Sequence, residues 1–207
     1  MSKIAAALLA FTIIAFGLKA YFHPEVQARY IPIVILHAAF MLGWLSLLTI
    51  QPILIVTKRP KWHRTLGAVS LGLVGAMVAS GSIIAVNIGR ELGRPEVTVV
   101  NIAAFVTFLP LYFAAVNYAR SKRVHEHRQA MLIATLALMT PAYARIVQVL
   151  DIPDPVAIGV QVPITVGIAC GYDWLIKGHI TREVMWMLGF SVAVIAVMVA
   201  VLAVWFV

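Results

Sequence analysis

Charge is scarce in this sequence, and cysteine is nearly absent. Only 12% of the 207 residues are Asp, Glu, Lys or Arg, whereas 62% are apolar, and the mean hydropathy is +0.97. An ordinary soluble domain needs about twice that charge, so the shortage points to a chain that lives in lipid. Acidic residues are the scarcest: 8 Asp and Glu stand against 16 Lys and Arg, for a formal charge of +8. Such an excess can mark a nucleic-acid binder. Here the cations fall in short loops between apolar runs, where they set topology instead, so no nucleic-acid partner is expected. The lone cysteine, Cys170, lies inside an apolar run; it can form no internal disulfide and has no setting that would make it a nucleophile. A glycine-rich phosphate loop and a nucleophile elbow are also missing. So are the alternating segments of about ten residues that build membrane barrels.

What is present is a series of long apolar runs, near 4–22, 31–57, 64–89, 97–119, 128–150, 155–176 and 184–206. A span needs about 20 apolar residues, and across lipid only an α-helix satisfies its own backbone. The expected fold is therefore all-α: a polytopic membrane bundle of seven transmembrane helices in one integral membrane domain, with a four-helix core from the second to the fifth. The first run reads as a retained helix and not a cleaved signal, because Lys19 occupies the Gly17-Leu18-Lys19-Ala20 stretch where a small-residue cleavage site would lie. Lys3, Lys58, Arg59, Lys61, Arg64, Arg120, Lys122, Arg123, Arg128, Lys177 and Arg182 fall on one side of the membrane; Lys19, Arg29, Arg90, Arg94 and Arg145 fall on the other. The positive-inside rule then places the N-terminus in the cytoplasm and the C-terminus outside.

Two loops share a pattern. KRPKWHR (Lys58 to Arg64) and KRVHEHR (Lys122 to Arg128) both read KR-x-x-x-HR, 64 residues apart. Their cations are explained as topology signals at headgroup depth, where each gains roughly 1 kcal/mol near anionic lipid. Topology leaves the histidines unexplained. A duplicated helix pair would account for the spacing, although the same shift places His37 on Asn101 and Gln51 on Ala115, a thin match.

Polar side chains inside spans are costly and become functional candidates by default. On a helical period His37, Met41, Trp44, Leu48 and Gln51 share one face of the second run. Arg145 lies near the outer end of the fifth run, five turns beyond His127, with Pro141 interrupting that helix; it can pair with Asp151 or Asp154, or bind an anionic group. Small residues Ala68, Gly72, Gly75, Ala79 and Ser82 form a stripe on the third run that suits helix packing. At the inner side His63, His125, His127, Asp173 and His179 fall at one depth. Zinc could take ligands from His63, His127, Asp173 and His179. Alternatively His63 and His127 could be the axial ligands of one b-type haem, with His37, Arg145, Gln51 and Trp44 completing a cofactor site and a quinone-like group held at the outer end. Bland alternatives stay open: histidines and arginines that only anchor helices and lipid phosphates, in a non-catalytic subunit or small-molecule or lipid binder. Transport is a further reading, since Pro52, Pro110, Pro141 and Pro163 can break four helices, but the interior lacks acidic residues suited to a proton relay.

ILHAAFMLGWLSLLTIQP followed by KWHRTLGAVS resembles a family of predicted bacterial membrane proteins of unknown function with HRWLG-type and HRRWMxR-type helix starts. The matching positions are His37, Gln51, His63, Arg64, Gly67, His127, Arg128 and Arg145, over residues 31–150. Thr65, Ala130 and Ile133 depart from the pattern. The resemblance implies a bacterial inner-membrane location. Its paired histidines are similar in outline to transmembrane b-type cytochromes, which implies electron transfer to a quinone, a docked partner or a larger complex. With a single outer histidine, His37, at most one bis-histidine haem fits.

Overall fold

A computed structural model describes residues 1–91 and 93–205 of the chain. The fold is an all-α polytopic helix bundle, and seven segments are long and apolar enough to cross a membrane. The helices are α1 (Ser2–Phe22), α2 (Pro32–Val56), α3 (Pro60–Glu91), α4 (Glu96–Arg120), α5 (Val124–Ala137), α6 (Thr140–Val149), α7 (Pro155–Lys177) and α8 (Arg182–Trp205). A short 3-10 turn, Pro24–Arg29, follows α1. Proline opens α2, α3 and α7, where its missing N–H costs nothing and its fixed φ suits the first turn. Gly178 closes α7 in the left-handed region (φ 74°), which lets the chain reverse within a few residues into α8.

The chain divides into two compact units, Met1–Gly93 and Arg94–Val207. In the first, α2 packs along both α1 and α3. Trp44, Leu45 and Leu48 of α2 are buried, as are Val74, Met77 and Ala85 of α3. The small-residue stripe behaves otherwise than expected. Ala68, Gly72, Gly75, Ala79 and Ser82 are all exposed, and a Cβ added at Gly72 or Gly75 would meet no atom within 4 Å. Helix α3 instead packs through the face carrying Ser70, Val74, Met77 and Ser80. In the second unit α4 and α5 form the most extensive pair, with α7 and α8 against them and α6 on α7. Helix α5 is the centre: six consecutive side chains from Leu132 to Ala137 are buried or nearly so.

The fifth apolar run is two helices. Pro141 has no N–H to give the carbonyl four residues back, and the ladder tightens through Leu138 N–H to Thr135 O and Met139 N–H to Leu136 O. Gln161 of α7, itself buried, donates its side-chain N–H to Leu136 O at 2.9 Å and so serves the backbone at the break.

The two KR-x-x-x-HR loops are the same turn built twice. Helices α2 and α4 end at Val56 and Arg120, and α3 and α5 begin at Pro60 and Val124, 64 residues apart at both ends. Thr57 N–H bonds to Ile53 O, Lys58 N–H to Ile55 O and Arg59 N–H to Leu54 O; Ser121, Lys122 and Arg123 bond in the same way to Asn117, Ala119 and Tyr118. Lys58 (φ 57°) and Lys122 (φ 59°) both lie in the left-handed region. A non-glycine residue there costs about 1–2 kcal/mol. Lys58→Gly and Lys122→Gly should therefore each raise the detergent-solubilised melting midpoint, by an amount worth up to about 1 kcal/mol once the extra unfolded-state entropy of glycine is deducted. Opposite signs at the two positions would show that the turns are not equivalent.

Candidate functional site

The repeated turn places each motif histidine as the fourth residue of its helix. His63 Nδ1 donates to Gln51 O at 3.3 Å, and His127 Nδ1 donates to Ala115 O at 2.9 Å. In both cases the acceptor lies twelve residues back, on the preceding helix of the same hairpin. A carbonyl can only accept, so Nδ1 carries the proton in each ring, and in the neutral form the lone pair belongs to Nε2. Gln51 answers His63 with a second bond, from Nε2 to His63 O at 3.2 Å, while its Oε1 is buried with no partner. Each histidine thus staples its helix pair together just beyond the connecting turn.

His37 is half-buried on α2 and donates Nδ1–H to Ser80 Oγ of α3 at 2.9 Å; the Ser80 hydroxyl gives its own proton to Ala76 O at 2.6 Å. Trp44 is buried two turns further along α2, as its helical spacing from His37 implied.

The predicted inner cluster is assembled differently in the second unit. Asp173 is fully buried and accepts three hydrogen bonds: from His125 Nε2 at 2.5 Å, from Gln129 Nε2 at 3.1 Å and from the backbone N–H of Thr181 at 2.5 Å. His125 also stacks parallel to Tyr172, with centroids 6.4 Å apart. The partner of Asp173 is therefore His125 of the HEH triplet, while His127 turns to the α4 carbonyl and His179 is exposed on the α7–α8 loop. Among the described residues no three His, Cys, Asp or Glu side chains converge as metal ligands. The cluster ties the loop after α7 to the first turns of α5, and Arg123 adds bonds to Glu126 and Glu183 nearby. Gln129 and Thr181 were not foreseen. Gln129 could have been found as a polar residue in an apolar run; the Thr181 contribution is a backbone group and has no sequence signal.

Arg145 reaches a carboxylate through an intermediary. Its Nη1 donates to Gln148 Oε1 at 2.8 Å, and Gln148 Nε2 donates to Asp154 Oδ1 at 2.9 Å. Arg94 closes the other side, donating to Asp154 Oδ2 at 2.8 Å and to Glu96 Oε1 at 2.6 Å. Of the two acidic residues the sequence offered, Asp154 is the one used; Asp151 is exposed.

A shallow, partly open groove is lined by α4, α5, α7 and α8 and by Thr140 at the start of α6. Its lining is aliphatic apart from Thr107, Thr140, Gln161, Thr165 and Ser191, and contains no charged residue. It lies beside the α5–α6 break. Nothing in the sequence marked it, because its walls come from five helices and only their packing leaves the space.

No family model, curated protein or solved structure matches this chain.

Burial raises the pKa of Asp154, but the bonds from Arg94 and Gln148, and the charges of Arg94 and Arg145, outweigh it and hold the carboxyl below its ordinary value. A carboxyl whose pKa is lowered by folding adds stability above its unfolded pKa, roughly 4, and loses it as pH falls through the folded value. The melting midpoint should accordingly drop between pH 5 and the folded pKa, with part of that drop missing in Asp154→Asn. At pH 7 the variant should melt lower than wild type. Identical pH profiles would remove Asp154 from the stability of this end.

Proposed function

We propose that this protein is an integral membrane protein that binds a lipid-soluble small molecule inside the bilayer, in the groove of the second unit. The observation that carries this reading is an uncharged, mostly aliphatic recess beside a helix break, furnished with a few hydroxyl and amide groups. Pockets for small molecules are of this kind, apolar with a small number of placed polar groups, and interrupted helices near the midplane are where membrane proteins build them. The positive-inside pattern supports a cytoplasmic N-terminus. Ala104→Trp should fill the recess. Solvent extraction and mass spectrometry of the purified protein should find a stoichiometric lipid-soluble compound in wild type and a depleted one in the variant, with the melting midpoint as the folding control. Indistinguishable extracts would sink the proposal.

One observation favours a second reading, a b-type haem for electron transfer. A ligating histidine ordinarily gives its other ring N–H to a carbonyl or carboxylate, which fixes the tautomer. His63 and His127 both do this through Nδ1, and Nε2 would be the iron-binding atom. Haem would supply one-electron chemistry, with His63 or His127 giving it an axial ligand. The purified protein should then show a Soret band and a reduced α-band after dithionite, and at least one of His63→Ala and His127→Ala should perturb them. A colourless protein after expression with added haem precursor would end this reading.

A further inference from the structure

The two copies of the KR-x-x-x-HR turn share a backbone but not their charge. In the second copy much of the charge is answered within the chain. Arg123 bonds to Glu126 at 3.1 Å and to Glu183 at 2.7 Å, and its guanidinium lies 4.8 Å from the ring centre of Tyr118. His125 gives its ring N–H to the buried Asp173. The first copy lacks these partners. The 64-residue shift puts Arg59 on Arg123, Lys61 on His125, Trp62 on Glu126 and Leu54 on Tyr118. Among the described residues Lys58, Arg59, Lys61 and Arg64 make no salt bridge and no side-chain hydrogen bond, and all four are exposed.

No acid elsewhere in the first unit makes up the difference. Its acidic residues are Glu25 and Glu91. Glu25 sits in the turn between α1 and α2, and Glu91 ends α3. Each is a whole helix from the α2–α3 turn, about 37 Å and about 46 Å at 1.5 Å per residue. Lys3 joins the patch instead. Ser2 Oγ donates to Thr49 O at 3.0 Å, which sets the start of α1 against α2 two turns before its end. This end of the unit thus holds Lys3, Lys58, Arg59, Lys61 and Arg64 with no carboxylate. The start of α3 adds the positive end of a helix dipole. Topology asks only that cations be present; it does not ask that they be left unpaired.

The surroundings select the anion. Trp62, inside the motif, is 61% exposed, and Val56 and Val69 on either side of it in the chain are exposed as well. An indole among cations at the end of a span suits the headgroup boundary, with its ring toward acyl chains and its N–H toward water. We infer that the α2–α3 turn is a docking site for an anionic phospholipid, whose phosphate is held by Arg59, Lys61 and Arg64 while its glycerol and upper acyl chains lie against Trp62. A zwitterionic lipid fits less well, because its ammonium would face the same cations. A free anion or an acidic peptide would leave the apolar surface beside the charges unmatched. The second copy of the turn is no such site, since Arg123 is spent on Glu126 and Glu183. This inference is independent of the groove in the second unit.

The test uses the purified full-length chain in uncharged detergent micelles, where leaflet orientation plays no part. Phosphatidylglycerol and phosphatidylcholine with the same acyl chains are titrated in, and binding is read by native mass spectrometry. Wild type should prefer phosphatidylglycerol. Arg59→Gln and Lys61→Gln should each weaken its binding about five-fold, the factor expected of one cation at headgroup depth. Phosphatidylcholine binding should not change. Arg123→Gln, at the same place in the second copy, should leave phosphatidylglycerol binding as in wild type. Trp62→Glu gives the first turn the acid of the second and should abolish the preference, whereas Trp62→Phe should keep it. The melting midpoint without added lipid is the folding control. Equal affinity for the two lipids would overturn the inference, as would an Arg123→Gln loss as large as that of Arg59→Gln. Displacement of phosphatidylglycerol by an equal concentration of inorganic phosphate or of a hexaglutamate peptide would also overturn it, making the patch a site for a free anion or for an acidic protein segment.

Discussion

Every hydrogen-bonding group placed in hydrocarbon must find its partner inside the protein, and this structure is organised around that demand. The helices are its first consequence, since they alone satisfy a backbone within a single segment. The threonines that bond to carbonyls one turn back are the second. Where the ladder fails at Pro141, a glutamine from the neighbouring helix supplies an N–H. Where a carboxylate is fully buried, as at Asp173, three donors surround it. Exceptions stand out against so consistent a background. Among the described residues, the buried side-chain atoms left without a partner are Gln51 Oε1, Gln129 Oε1 and Thr181 Oγ1.

The same demand explains the repeated turn. A helix hairpin leaves carbonyls at the end of one helix and N–H groups at the start of the next without intrahelical partners. Both loops meet this with the same backbone bonds, one lysine in the left-handed region and one histidine reaching back to a carbonyl of the preceding helix. The matching helix boundaries make a duplicated hairpin a better account of the KR-x-x-x-HR pair than charge placement alone. They also give the histidines a structural task that any cofactor role would have to share. A stapled imidazole is held in one orientation, which is what a ligand to a metal needs, so the two tasks are compatible.

The polar clusters differ in the way their members are recruited. The network from Arg145 to Arg94 runs through Gln148 and Asp154 and draws on residues from α6, the loop after it and the loop before α4. A direct Arg145–Asp154 pair was a reasonable expectation from sequence, and the glutamine between them is a matter of side-chain reach. The inner cluster turns on rotation about α5. Successive helical residues are about 100° apart, so His125 and His127 cannot meet the same neighbour. One joins Asp173 on α7 and the other the carbonyl of Ala115 on α4. A shared depth, which is all the sequence offered for these residues, could not separate them.

Hydropathy by itself determined the number, length and boundaries of the spans to within a few residues, because crossing lipid is a one-dimensional requirement on consecutive side chains. It also marked Pro141 as a break and His63, His127, His37, Asp173 and Arg145 as residues in need of partners, since a polar group in an apolar run is conspicuous whatever its surroundings. The choice of partners belonged to the tertiary structure. Thr181 enters through its backbone, Gln161 through the geometry of a break on another helix, and the exposed stripe of α3 shows that small side chains alone do not choose a packing face. The groove has no sequence signature at all, because an empty volume is a property of how several helices fail to fill the space among them.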